Sequence, residues 1–235
     1  MKIALILSGQ FRDAKKCYPS IDENILKPYE PDVFISTWTN PQTITPSAWF
    51  GDNFDDDCSL SDIMEMYKPK SIELETFDNE ENQPFKEMAR HLDSKLEHPL
   101  AQTINVSAMF YKKHRANLLR KNFEDLNGFK YDIVISSRFD LEFLEDPVVG
   151  LSGDELSIPI GFDWCDGICD LFAIGNSSTM DEYFDLFNML KTYRLEQNVS
   201  HTPELIMRHH IEHKGMNLRR YTLKYKLRGV NIWEK

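Results

Sequence analysis

Long apolar runs are missing from the sequence. Nothing approaches the ~18 consecutive apolar residues that read as a membrane-spanning helix, so no transmembrane segment is expected. The opening stretch Ile3-Ala4-Leu5-Ile6-Leu7 stops at Ser8-Gly9-Gln10 with no small-residue cleavage site, which fits a buried strand better than a secretion signal. Cysteine is scarce. Cys17, Cys58, Cys165 and Cys169 lack the spacing of a disulfide framework, and a reducing, cytoplasmic setting is the expectation. Basic charge is in deficit: 38 acidic against 27 basic side chains give a net charge of -11. A duplex-binding face needs surplus Lys and Arg to displace phosphate counterions, so no nucleic-acid partner is expected. The sequence also lacks a glycine-rich dinucleotide fingerprint, a Walker loop, an internal repeat and a Gly/Ser linker.

What is present suffices for a packed core. Hydrophobic residues make up 41% of the 235 and aromatics 12%, outside the composition of a disordered chain. Lys2–Leu7 and Asp32–Thr37 read as buried strands. Between them, Asp13–Lys27 carries Ala14, Cys17, Ile21 and Ile25 at helical spacing. Pro19 predicts a kink there, or a helix start. Strand, helix and strand with short joints make a parallel βαβ unit. Asn40–Asp57 predicts an irregular loop, Leu60–Tyr67 a short helix, Ser71–Thr76 a strand, and the acidic Phe77–Gln83 a solvated stretch. The longest helical pattern is Thr103–Leu126, with Ile104, Ala108, Tyr111, Leu118 or Leu119, and Leu126 recurring each turn until Asn127-Gly128. Tyr131–Ser137 is the clearest strand. Strands at Glu155–Pro159 and Asp170–Ile174, helices at Ser178–Glu196 and Thr202–Lys214, and an extended Asn217–Leu223 follow. Thr202 before Pro203 suits a capped helix start. The fold class is an α/β sandwich with a mostly parallel central sheet.

Four segments place polar groups where chemistry could sit. In Leu7-Ser8-Gly9-Gln10-Phe11-Arg12 a buried strand ends and a helix begins, where open α/β sheets bind ligands. Gly9 allows close backbone approach and Arg12 suits a phosphate; a plain strand exit is the alternative. Ser137-Arg138-Phe139-Asp140-Leu141-Glu142-Phe143 follows the strongest strand. If it stays extended, Arg138, Asp140 and Glu142 share one side. Asp140 and Glu142 then make a hard-oxygen site for Mn²⁺ or Mg²⁺, able to neutralise a leaving phosphate. An Arg138–Asp140 ion pair is the competing explanation.

The third segment, Gly161-Phe162-Asp163-Trp164-Cys165-Asp166-Gly167-Ile168-Cys169-Asp170, could form a substrate-facing wall. Asp166 or Asp170 could accept a proton from a sugar hydroxyl, and Trp164 could offer an apolar face to a sugar ring. Cys165 and Cys169 alone do not supply the four ligands of a structural zinc site. The fourth, Arg208-His209-His210-Ile211-Glu212-His213, sets His209 and His213 on one side of a helix. A polar helix face explains them better than a zinc site, although one of them, or His201, could complete a metal shell begun by Asp140.

Several blocks occur in one order along most of the chain: Ile3-Ala4-Leu5-Ile6-Leu7-Ser8-Gly9-Gln10-Phe11-Arg12, Asp32-Val33-Phe34-Ile35-Ser36-Thr37-Trp38, Tyr131-Asp132-Ile133-Val134-Ile135-Ser136-Ser137-Arg138-Phe139-Asp140-Leu141, Asp170-Leu171-Phe172-Ala173-Ile174-Gly175 with Met180 and Tyr183, and Thr202-Pro203-Glu204. In that order the chain resembles bacterial and viral glycosyltransferase-like proteins encoded near polysaccharide-synthesis genes. The resemblance implies a GT-A-like, Rossmann-like fold, a nucleotide-sugar donor, a glycan or other hydroxyl acceptor, and a divalent cation. It sets Asp140 in the place of an Asp-x-Asp metal site with Glu142 beside it. Arg138 takes that motif's first position, so the segment reads Arg-x-Asp-x-Glu, and Arg138 could neutralise the diphosphate without an ion.

The expected arrangement follows. Ser8, Gly9, Gln10, Arg12 and Arg138 face the donor with Trp38 nearby, and Asp166 or Asp170 orients or deprotonates the acceptor. Residues 1–235 form one domain, roughly 1–145 for the nucleotide and 146–235 for the acceptor. The rival reading is a non-catalytic carbohydrate- or nucleotide-binding module that kept the fold and lost the reaction. A phosphoryl-transfer enzyme or nuclease ranks last, for want of a nucleotide loop or an acidic triplet.

Overall fold

A computed structural model describes residues 1–39, 58–77, 84–87, 100–148 and 150–228. Its strands are β1 (Ile3–Gly9), β2 (Asp32–Trp38), β3 (Ser71–Glu75), β4 (Ile133–Ser137), β5 (Leu141–Phe143), β6 (Leu156–Pro159), β7 (Ala173–Gly175), β8 (Leu218–Tyr221) and β9 (Tyr225–Leu227). The helices are α1 (Ala14–Ile21), α2 (Leu60–Tyr67), α3 (Leu100–Asn127), α4 (Ser177–Phe184), α5 (Leu186–Leu195) and α6 (Pro203–Lys214).

The main sheet has seven strands in the order β3-β2-β1-β4-β7-β6-β8. β1 to β4 are parallel, β6 and β8 run with them, and β7 alone is reversed. Ile3 to Leu7 and Val33 to Trp38 are buried without alternation, as expected of parallel strands covered on both faces. β2 lies on one side of β1 and β4 on the other, so the strand order reverses between β1 and β4. Right-handed crossovers running in opposite directions put α1 and α3 on opposite faces of the sheet. The cleft at a reversal of this kind, beyond the carboxyl ends of the strands, is where open α/β sheets bind ligands.

Local chemistry explains the elements and corrects several expectations. α1 begins at Ala14 and carries Pro19 inside it, continuing as a π turn over Asp22–Leu26 and a last turn over Lys27–Tyr29. Pro19 therefore neither starts nor ends the helix; it removes one i→i−4 bond from a stretch that then widens. At α2, Ser59 and Asp62 form a reciprocal capping box. The helix expected over Ser178–Glu196 is broken at Asp185 into α4 and α5, and Thr202 makes no side-chain cap bond to α6. Leu126, expected on the buried face of α3, is exposed, whereas Phe77, expected in solvent, is buried. The Asn40–Asp57 loop and all of the acidic stretch after Phe77, residues 78–83, lie outside the described residues. After β4 the chain does not stay extended; it turns at Phe139-Asp140. It then enters a two-stranded ribbon of β5 with β9.

Candidate functional site

β1 and β4 leave the sheet side by side, with Leu7 in register with Ser137. Gly9 has a φ of +101°, open to glycine and strained for other residues. A side chain there would meet nothing within 4 Å, so conformation and not close approach demands the glycine. Its carbonyl accepts a 2.7 Å hydrogen bond from the Thr37 hydroxyl, which ties the β1 and β2 exits together. Arg12 Nε donates to Gln10 Oε1 at 2.6 Å, and Phe11 packs edge-on against Phe139 at 5.5 Å between ring centroids. The Ser8–Arg12 turn and the β4 exit are thus one place.

At that exit Arg138 grips Asp140. Arg138 Nε donates to Oδ1 at 2.8 Å and Nη2 to Oδ2 at 2.6 Å, a bidentate pair on a carboxylate only 3% exposed. Burial opposes the Arg138 charge, and the Asp140 carboxylate together with Asp170 more than offsets it, holding the guanidinium above its ordinary pKa. Asp170 stands close enough to act on Arg138 electrostatically. It is itself buried beside Lys113 of α3, whose ammonium donates to the Asp170 carbonyl and lies 3.5 Å from Oδ2. Burial lowers the Lys113 pKa, and Asp170 counteracts that fall.

Glu204, in the first turn of α6, completes the group. Its carboxyl is pushed up to about 8, first by burial and next by the negative charge of Asp170, with Lys113 and Arg138 pulling the other way. The backbone sets its position. Ile168 N–H donates to the Glu204 carbonyl at 2.9 Å, and a Cβ at Gly167 would come within 2.4 Å of the Glu204 carbonyl carbon. Nearby, the fully buried Tyr183 hydroxyl has no hydrogen-bond partner among the described residues and feels the charge of Asp170.

One wall is a loop under backbone strain. Gly161, Phe162, Cys165 and Asp166 all have positive φ, from +55° to +113°. Such conformations cost non-glycine residues about 1–2 kcal/mol each and persist only where the surroundings hold them. Asp163 supplies the anchor: it accepts from Arg220 at 2.8 Å, from Cys169 N–H at 2.8 Å and from Gly161 N–H at 3.1 Å. The strained loop leaves Ile160 and Trp164 exposed.

The expected site residues are therefore divided. Ser8, Gly9, Gln10, Arg12, Arg138, Asp140 and Asp170 belong to the carboxyl edge around the β1–β4 reversal. Trp38 does not face a ligand there. It is 5% exposed, boxed in by Phe77, Phe85 and Tyr111, with the Lys112 ammonium 4.1 Å from its ring centroid. Asp166 sits exposed in the turn Trp164–Asp166, its carbonyl accepting from Arg208. Glu142 lies on the β5–β9 ribbon, opposite Lys226 and 3.3 Å from Arg228 Nε. His210 is buried between the Tyr193 hydroxyl and the Glu182 carbonyl, and His209 bonds Gln197.

These residues do not fit the divalent cation the resemblance implies. Both Asp140 oxygens are bonded to Arg138, and Glu142 has its own cation. Among the described residues no group of three His, Cys, Asp or Glu could hold a metal ion. Extended alternation would have pointed Asp140 and Glu142 together, and the turn at Phe139-Asp140 separates them. Lys113 was missed because its helix reads as simply amphipathic, although a Lys112-Lys113 pair among Ala108, Phe110 and Tyr111 signals buried charge. In the sequence Glu204 shows only as part of a helix start. No family model matches the sequence, and comparison with curated proteins gives no match.

Proposed function

We propose that the chain is a nucleotide-sugar-dependent glycosyltransferase of GT-A type, transferring a sugar to a glycan or other hydroxyl acceptor. The observation that carries the reading is convergence. The exits of β1 and β4, the segment before β7 and the first turn of α6 meet at the carboxyl edge where the strand order reverses, and with Lys113 of α3 they bring Arg138, Asp140, Asp170 and Glu204 into one electrostatic cluster.

In this reading the Ser8–Arg12 turn and Arg138 face the donor diphosphate. Arg138 uses Nε and Nη2 on Asp140, which leaves Nη1 to meet charge developing on the leaving group. Fixed donors of this kind act best where water is excluded. Trp164 and Ile160 offer the apolar face for an acceptor sugar. No step runs through a metal ion.

The tight Arg138–Asp140 pair also favours the second reading, a module that binds a nucleotide or carbohydrate without turnover, because it neutralises the group best placed to attract a diphosphate. Incubation with UDP-, GDP-, dTDP-, CMP- and ADP-activated sugars, with and without oligosaccharide acceptors, separates the two. Release of free nucleotide that depends on Arg138 supports the transferase. Saturable binding with no release supports the module.

A further inference from the structure

We propose that Glu204 is the catalytic base of this site, taking the proton from the acceptor hydroxyl. The proposal rests on the transferase reading and goes beyond it by assigning the proton-transfer step to a residue in the first turn of α6. Three carboxylates share the cluster. Asp140 is occupied by Arg138, and Asp170 by Lys113. Glu204 is left with no cation in salt-bridge distance among the described residues, and it is half-buried, not sealed. A base must be reachable by substrate and must not be consumed by a partner, and only Glu204 meets both conditions here. Asp166, in the turn packed against α6, is exposed and so lacks the burial that makes Glu204 the stronger base.

The charges facing Glu204 come from three elements: Asp170 from the segment before β7, Lys113 from α3 and Arg138 after β4. Burial and Asp170 make its carboxylate more basic than an ordinary glutamate, which suits proton abstraction near neutral pH. Its backbone is locked by the Ile168 hydrogen bond and the close packing of Gly167, and its carboxyl accepts a hydrogen bond from its own N–H. In the step, the acceptor oxygen bonds to the anomeric carbon while that carbon's bond to the diphosphate oxygen breaks. The bonding pair leaves on the diphosphate, and the hydroxyl proton passes to Glu204 and then to solvent.

The test compares wild type, Glu204→Gln, Glu204→Asp and the surface control Glu212→Gln in the sugar-nucleotide panel, with kcat, donor KM and pH–rate profiles. Glu204→Gln is expected to bind nucleotide diphosphate as wild type does, to lose about 100-fold or more in kcat, and to lose the limb that rises with pH above the ordinary carboxylate range. Glu204→Asp recovers part of the rate. Thermal unfolding of each variant separates misfolding from lost chemistry. A Glu204→Gln protein that is folded and turns over at the wild-type rate, or keeps the same pH limb, overturns the assignment and leaves the transferase reading standing. A wild-type protein that releases nucleotide from no donor overturns both.

Discussion

Arg138 and Asp140 are two residues apart and joined by two hydrogen bonds of 2.8 and 2.6 Å, with both side chains largely withdrawn from solvent. Removing one member leaves an uncompensated buried charge, a loss of about 3–5 kcal/mol, whereas replacing both by apolar groups is far better tolerated. Arg138→Ala is therefore expected to lower urea-unfolding stability by that order, and Arg138→Met with Asp140→Leu by clearly less than the sum of the single changes. A double-mutant cycle measures the coupling. Additive single effects would contradict the pair.

Gly167 has no room for a methyl group. An added Cβ would lie 2.4 to 2.7 Å from Glu204 backbone and Cβ atoms, so the loop or the start of α6 must move. Gly167→Ala is expected to cost about 1–3 kcal/mol and to weaken any turnover through Glu204. At Gly128, φ is +67° but nothing lies within 4 Å of an added Cβ. Gly128→Ala is expected to cost about 1–2 kcal/mol through backbone strain alone, with turnover unchanged.

α3 is fastened to α4 through buried charge. Arg120 bonds Glu124, Ser177 and Asp181, and Glu124 also accepts from Ser177 and from Tyr131 N–H. Both Arg120 and Glu124 are fully buried. Arg120→Met is expected to destabilise by about 3–5 kcal/mol. Lys130→Ala, at the exposed edge of the same network, is expected to cost less than about 1 kcal/mol. Chemical denaturation of the two variants checks the contrast.

Burial pushes His210 down to about 4 from an ordinary 6.5. Above pH 6.5 both folded and unfolded chains carry it neutral, and its contribution is complete. As pH falls from 6.5 towards 4, the unfolded chain takes up a proton that the folded one refuses, and stability drops by up to about 1.4 kcal/mol per pH unit. His114, also lowered by burial, acts in the same direction. Urea midpoints at pH 7, 6 and 5 are expected to fall more steeply for wild type than for His210→Gln. Equal slopes would contradict this account.

The sheet was legible because its strands are unbroken apolar runs: Ile3–Leu7, Val33–Ile35 and Ile133–Ile135 need no distant partner to be recognised. The β5–β9 ribbon was not, since two three-residue strands about eighty positions apart carry no periodic signal of their own. The burial of Trp38 is not legible in the sequence, because an aromatic at a strand end looks the same whether it faces a ligand or, as here, Phe77, Phe85 and Tyr111. The Arg138–Asp140 pair was visible as an alternative, but its choice over a cation depends on the turn at Phe139-Asp140, which hydrophobic patterning does not encode. Lys113 and Glu204 gain meaning only from each other and from Asp170, because α3 and the start of α6 both meet the segment before β7, which no local pattern reports.

The most direct measurement is the thermal shift of the wild-type protein and of Arg138→Met with nucleoside diphosphates, in EDTA and again with Mn²⁺. A ligand at one hundred times its Kd stabilises the folded state by about 2.7 kcal/mol, a readily seen rise in Tm. The account predicts that at least one diphosphate stabilises wild type in EDTA and that Arg138→Met, still folded, loses the shift. Stabilisation that appears only with Mn²⁺, or that survives the loss of Arg138, would contradict it.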